Sequence, residues 1–158
     1  MNKYVFDSDV LIDLFTNFYH SRFPSLWNNF DDLVNQDRLL SVREVKNELN
    51  SYHKNDSLKK WINRNNNIFK QPDEIEMVFI KKIFAIRHFQ AIIRKKSILN
   101  GKPVADPFLI AKAKAIDGFV VTQEKFKDNG AKIPNICKYF NIKYINLEGF
   151  MEKEEWKF

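Results

Sequence analysis

The sequence predicts an α/β fold: a single domain over residues 1–158 with a central, mainly parallel sheet flanked by helices. Three observations carry that expectation. Short runs rich in Val, Ile, Phe and Tyr alternate with longer stretches of helical periodicity, the order of βαβ units. A chain of 158 residues can bury one core without disulfides or structural metal. Acidic residues follow several of the apolar runs, and open α/β sheets bind ligands at the carboxyl ends of their strands.

The elements are expected in the following order. Lys3-Tyr4-Val5-Phe6 forms a buried first strand, and Val10 to Tyr19 the helix after it. A second helix starts at Pro24, which suits a first turn, and turns Leu26, Trp27, Phe30, Leu33 and Val34 to one face. Arg38-Leu39-Leu40-Ser41 is a short strand running into a helix with Glu44 and Glu48. A short helix around Leu58, Trp61 and Ile62 precedes the Asn-rich loop 63–67. A long helix begins near Asp73, with Ile75, Val78, Phe79, Ile83, Ile86 and Ile93 on its apolar face and one break before Ser97. Asn100-Gly101-Lys102-Pro103 stops it. Asp106-Pro107 opens a helix to Ile116, Phe119 to Thr122 is a buried strand, and Pro134 to Phe140 a short helix. Tyr144-Ile145-Asn146-Leu147 is the last strand, followed by a helix from Glu148.

Composition narrows the functional classes. No apolar stretch approaches the roughly 20 residues of a membrane span, because Lys81, Lys82, Arg87 and His88 interrupt the segment Ile75 to Ile93. Cys137 is the single cysteine, so no internal disulfide forms. Asp7 interrupts any N-terminal apolar run of signal-peptide type, and a cytoplasmic location is expected. The net charge of +6 suits a phosphate-rich partner.

Four acidic segments carry the chemistry: Asp7 after Tyr4-Val5-Phe6, Glu48 in Glu44-Val45-Lys46-Asn47-Glu48-Leu49, Asp106 in Ala105-Asp106-Pro107, and Glu124 after Phe119-Val120-Val121-Thr122. The motifs are read as carrying no compensating Arg or Lys, Arg43, Lys46 and Lys125 beside the glutamates aside. Gathered carboxylates repel, by roughly 4 kcal/mol for a pair about 4 Å apart at an effective dielectric near 20. Hard oxygen donors without Cys or His call for Mg²⁺ or Mn²⁺ rather than Zn²⁺. Each acid also has a purely structural reading. Asp9 is the better-placed cap for the first helix, leaving Asp7 free. Ser41-Val42-Arg43-Glu44 fits a capping box, which accounts for Glu44, while Glu48 is open to both a site role and a solvated face. Asp106 before Pro107 reads as an N-cap, and Glu124 as a first-turn acid.

In order and wording the four segments resemble the PIN domain, a metal-dependent nuclease family that includes VapC-type toxins. Phe6-Asp7-Ser8-Asp9-Val10-Leu11-Ile12 is similar to its opening motif, Glu44 to Leu49 to its helix with a Glu-Leu pair, and Ala105 to Ala111 to its third acidic motif. Val120-Val121-Thr122-Gln123-Glu124 stands where the family has Thr-x-Asp or Asn. Departures are Asp9, where a neutral residue is usual, and Glu124 in place of Asp. Phe23 to Trp27 and Lys132 to Cys137 are similar to a PIN-like branch linked to toxin–antitoxin gene pairs.

The resemblance implies that Asp7 and Asp106 bind the principal Mg²⁺ or Mn²⁺, that Glu48 adds a direct or water-mediated contact, and that Glu124 positions a second ion or the attacking water. It implies RNA as substrate, an antitoxin as partner, and a like subunit as a further one. Glu44 and Asp9 are the secondary candidates. Arg87, Arg94, Lys95, Lys96 and Lys102, just before Asp106, are candidates for nucleic-acid backbone contacts. His20, His53 and His88 lie outside the motifs, and Trp27, Trp61, Phe79 and Phe84 are spaced as core residues. Two alternatives remain. Asp7-Ser8-Asp9 after a strand also resembles the haloacid-dehalogenase phosphatase opening, and a non-catalytic PIN-like binding module would use the cleft only for association.

Overall fold

In the computed structural model, which describes residues 1–52 and 54–158, the strands are β1 (Tyr4–Phe6), β2 (Leu39–Val42), β3 (Phe69–Lys70), β4 (Phe119–Val121) and β5 (Tyr144–Ile145). They form one sheet in the order β3-β2-β1-β4-β5, parallel at every pairing. Tyr4 pairs with Leu39 on one side and Phe119 on the other, so β1 lies in the middle with completely buried side chains. Buried on both faces, β1 is uniformly apolar rather than alternating. The chain leaves β1 toward β2 on one side and returns to β4 on the other. The carboxyl ends of β1 and β4 therefore flank a switch point of the kind that opens a crevice.

Nine helices are present among the described residues: α1 (Ser8–Asn17), α2 (Pro24–Asn35), α3 (Arg43–Asn50), α4 (Asp56–Arg64), α5 (Glu74–Ala85), α6 (Arg87–Asn100), α7 (Asp106–Ala115), α8 (Ile133–Tyr139) and α9 (Leu147–Lys153). None is long and apolar enough to cross a membrane. An aromatic seam runs through the core, with Phe6 edge-on to Phe30 and Phe150, and Phe15 and Phe30 both against Trp61. Glu154, just past α9, accepts hydrogen bonds from the Tyr4 hydroxyl and the Arg38 guanidinium, fastening the C-terminal segment to β1 and β2.

Several expectations need correction. The anticipated long helix is two, because Ile86 takes an extended conformation and ends α5 well before Ser97. With α5 separate, its inner face is Glu76, Phe79, Ile80 and Ile83, while Ile75 and Val78 point outward, 74% and 55% exposed. The loop expected over 63–67 ends in a 3₁₀ turn (Asn66–Ile68), and β3, which was not expected, follows it. The proposed capping box does not form: α3 has Val42 as N-cap without a side-chain bond, and the Ser41 hydroxyl donates instead to the Phe6 carbonyl at 2.7 Å. His20 stacks on Trp27 at 3.8 Å, and His88 is exposed. The reading of His53 lies outside the described residues.

Gly101 ends α6 with φ of 65°, the left-handed conformation in which other residues are strained. Gly101→Ala should lower stability by about 1 kcal/mol. A urea titration checks this, and an unchanged midpoint would exclude strain at the cap.

Candidate active site

Asp7 follows β1 directly. Its backbone N–H donates to the Val121 carbonyl of β4 at 3.0 Å, which places its side chain at the switch point. The carboxylate is 5% exposed and fully engaged: Oδ1 accepts the Ser8 N–H at 2.7 Å, and Oδ2 accepts the Thr122 hydroxyl at 3.0 Å. Asp7 is thus the N-cap of α1, and the assignment of that cap to Asp9 was wrong. Asp9 lies in the first turn instead, where its Oδ2 accepts the Gln123 N–H at 3.1 Å while Oδ1 is buried without a partner.

Ser8 and Thr122 stitch the acids together. Ser8 Oγ is 2.8 Å from Glu48 Oε2 and 3.4 Å from Asp7 Oδ1. Glu48 Oε1 in turn accepts the N–H of Ala105, the residue before Asp106. Thr122 Oγ1 bonds Asp7 and also accepts the Glu124 N–H at 3.1 Å. Both hydroxyls escaped the sequence reading, although each sits directly beside an acid motif at a strand end. Glu44 takes no part: it is buried in an ion pair with Arg43 at 2.8 Å, so Glu48 is the glutamate of α3 that faces this cluster.

Asp106 is the first residue of α7 rather than its cap, which is Ala105. It is 7% exposed, and its Oδ2 is buried with no hydrogen bond. A cation does approach, from outside the motifs: Lys96 Nζ of α6 lies 3.6 Å from that oxygen. Glu124 points its Oε2 to the Ile133 N–H at 2.9 Å, capping α8 from the preceding loop. Of the basic candidates, Lys96 is therefore turned to the acids, and Lys102 bonds the Asn47 carbonyl and Ser51 hydroxyl. Arg87, Arg94 and Lys95 are exposed on α6.

Electrostatics expose the cost of this gathering. Burial, then Asp9, Asp106 and Glu124, holds the Asp7 carboxyl well above the ordinary range. Asp106 is pushed up to about 7 by burial and by Glu124, against the pull of Lys96 and with a further push from Glu48. Asp9 is also raised, chiefly by burial. One lysine does not neutralise the cluster.

Among the described residues, no three of these side chains form a preassembled metal centre. The donor set nonetheless fits a small hard cation. Every donor is oxygen, Asp9 Oδ1 and Asp106 Oδ2 lack partners, and Mg²⁺ commonly binds through one or two carboxylates while keeping several waters.

A family model described as Domain of unknown function (DUF4411) matches residues 4–158. The chain belongs to the DUF4411 family. No curated protein matches it. Among solved structures, this DUF4411 chain is similar to VapBC2 from Rickettsia felis bound to a DNA fragment from their promoter, at 12% identity over 90% of this chain and 97% of that one, TM-score 0.47. It is also similar to PAE2754 from Pyrobaculum aerophilum, at 11% identity over 96% of each chain, TM-score 0.47.

The raised carboxyl of Asp106 has a thermodynamic signature in the DUF4411 chain. Between an ordinary Asp value near 4 and its own value of about 7, the folded protein binds the extra proton. Stability contributed by this group is therefore lost as pH rises across that window. The decline should be shallower in Asp106→Asn, as thermal melts of both proteins in EDTA at several pH values will test. Parallel slopes would show that Asp106 titrates normally.

Proposed function

We propose that this protein is a metal-dependent endoribonuclease that cleaves RNA phosphodiester bonds and serves as the toxin of a toxin–antitoxin pair. The observation that supports this reading is the meeting of two almost fully buried aspartates from distant segments, Asp7 and Asp106, with their neutralisation incomplete. The likeness of the four acidic segments to the PIN motifs supplies the reaction class and the RNA substrate.

Asp7 and Asp106 would hold Mg²⁺ or Mn²⁺, with Glu48 contributing directly or through water and Glu124 positioning a second ion or the attacking water. When bound, the ion supplies charge neutralisation at the phosphate and a lowered pKa for a coordinated water. Ser8 and Thr122 fix the rotamers of the acids through the bonds described above. Lys96, 3.6 Å from Asp106 Oδ2, would be placed to meet a phosphate oxygen of the bound substrate. The exposed Arg87, Arg94 and Lys95 add attraction for the polyanion that falls with salt. An antitoxin and a second copy of the chain are the protein partners in this scheme.

The deciding experiment incubates purified protein with RNA and Mg²⁺ or Mn²⁺, beside Asp7→Asn. Cleavage by the wild type alone supports the proposal, and equal cleavage by both proteins overturns it. Mn²⁺ should also raise the melting temperature, more at pH 8 than at pH 5, because protons and the ion compete for the same oxygens. A metal shift of equal size at both values would place the ion elsewhere.

A further inference from the structure

A small cavity of about 180 Å³ lies between α6 and the segment bearing Asp106. Its lining is mostly apolar: Phe84, Ile93, Val104, Pro107 and Phe108, with Pro103 at its exposed edge. Arg94 and Ser97 are the polar groups in the lining. Val104 and Pro107 bracket Asp106 in the chain, so the cavity and the acidic cluster share one stretch of backbone. Phe84 and Phe108 are only half-buried, which leaves aromatic surface in a place that folding could have closed. The surroundings are cationic: Arg94 and Lys95 are exposed on α6, and Lys96 follows them.

We infer that this slot takes one base of a single-stranded nucleic acid, with Phe84 and Phe108 against the base and Arg94 on its phosphate. The inference rests on the proposed nuclease reading and adds a subsite to it. An apolar slot alone would suit an aliphatic side chain equally well. A cation at the rim and more on the same helix match a ligand that joins a flat apolar group to a phosphate, and aromatic surfaces hold bases without hydrogen-bond readout. Recognition of unpaired RNA works in this way, with bases splayed out and stacked while the backbone is held by charge. Phe84, spaced in the sequence as a core residue, then has a second role.

The test is binding of a short, fluorescently labelled single-stranded oligoribonucleotide in EDTA, where no cleavage occurs. The same strand with abasic residues serves as the comparison. The wild type should bind the base-containing strand about tenfold more tightly than the abasic one. Phe108→Leu and Phe84→Leu keep the slot apolar and should remove most of that preference. Arg94→Gln should weaken binding of both strands. Equal affinity of the wild type for both strands, or an unaltered preference in both leucine variants, overturns the slot, as does failure to bind either strand. Base-dependent binding by a protein that never cleaves RNA with Mg²⁺ or Mn²⁺ would overturn the nuclease reading and leave the slot in place.

Discussion

Asp106→Asn should reduce metal-dependent RNA cleavage on the order of 100-fold or more, above the roughly 10–100-fold typical of an outer partner to a metal ligand. The same substitution should raise the melting temperature in EDTA. The two effects share one cause: Asp106 is buried beside Glu124 and within the influence of Glu48, and its charged form is disfavoured despite Lys96. Asparagine keeps the shape and removes the charge, so it relieves repulsion and offers a cation only a neutral, weaker oxygen. Lys96 loses its partner in the variant, but it is partly exposed and can turn to water. Activity assays and metal-free melts on one preparation separate the outcomes. Loss of activity with a lower melting temperature would mean that the aspartate serves the fold, through its pairing with Lys96, and retained activity would dismiss it from the reaction.

The second large effect lies away from the acids. Glu76 of α5 and Lys112 of α7 form a buried ion pair at 2.6 Å, and Glu76 Oε2 has no further partner. Burial raises the Glu76 carboxyl despite Lys112, so the pair does not fully offset its desolvation. Lys112→Met should cost about 3–5 kcal/mol, because it strands a carboxylate inside. In a protein of this size that corresponds to a fall in melting temperature of roughly 10 °C. Adding Glu76→Leu should restore stability to about the wild-type level or above. Urea unfolding of the wild type and both variants decides it: a cost below about 1 kcal/mol for Lys112→Met would show that the glutamate reaches water.

The parallel sheet was readable because β1, β2 and β4 are apolar runs with acidic or helical sequence immediately after them. β3 and β5 hold two residues each in the ladder, too few for periodicity to register, and β3 was missed outright. The split between α5 and α6 was misplaced because no proline or glycine marks Ile86; the turn depends on tertiary packing. At the candidate site, the sequence singled out acids whose charges act on one another, but it gave the α1 cap to Asp9 when Asp7 makes it, since both lie within the capping region and only the side-chain bonds tell them apart. The choice between Glu44 and Glu48 likewise needed three dimensions, as α3 could turn either toward Ser8. Lys96 was legible as a cation, though its meeting with Asp106 is a tertiary contact between α6 and the start of α7 that spacing alone does not give.

Cys137 sits on α8, completely buried, with its thiol pushed up to about 12 by burial and by the negative charges of Asp106 and Glu124. Alkylating reagents act on the thiolate, so this sulfur is nearly inert while the protein stays closed. Its labelling rate consequently clocks local opening of α8, read from a native atom without any engineered probe. Neutralising Asp106 or Glu124 by substitution should ease ionisation of the sulfur and quicken that clock without any change in opening.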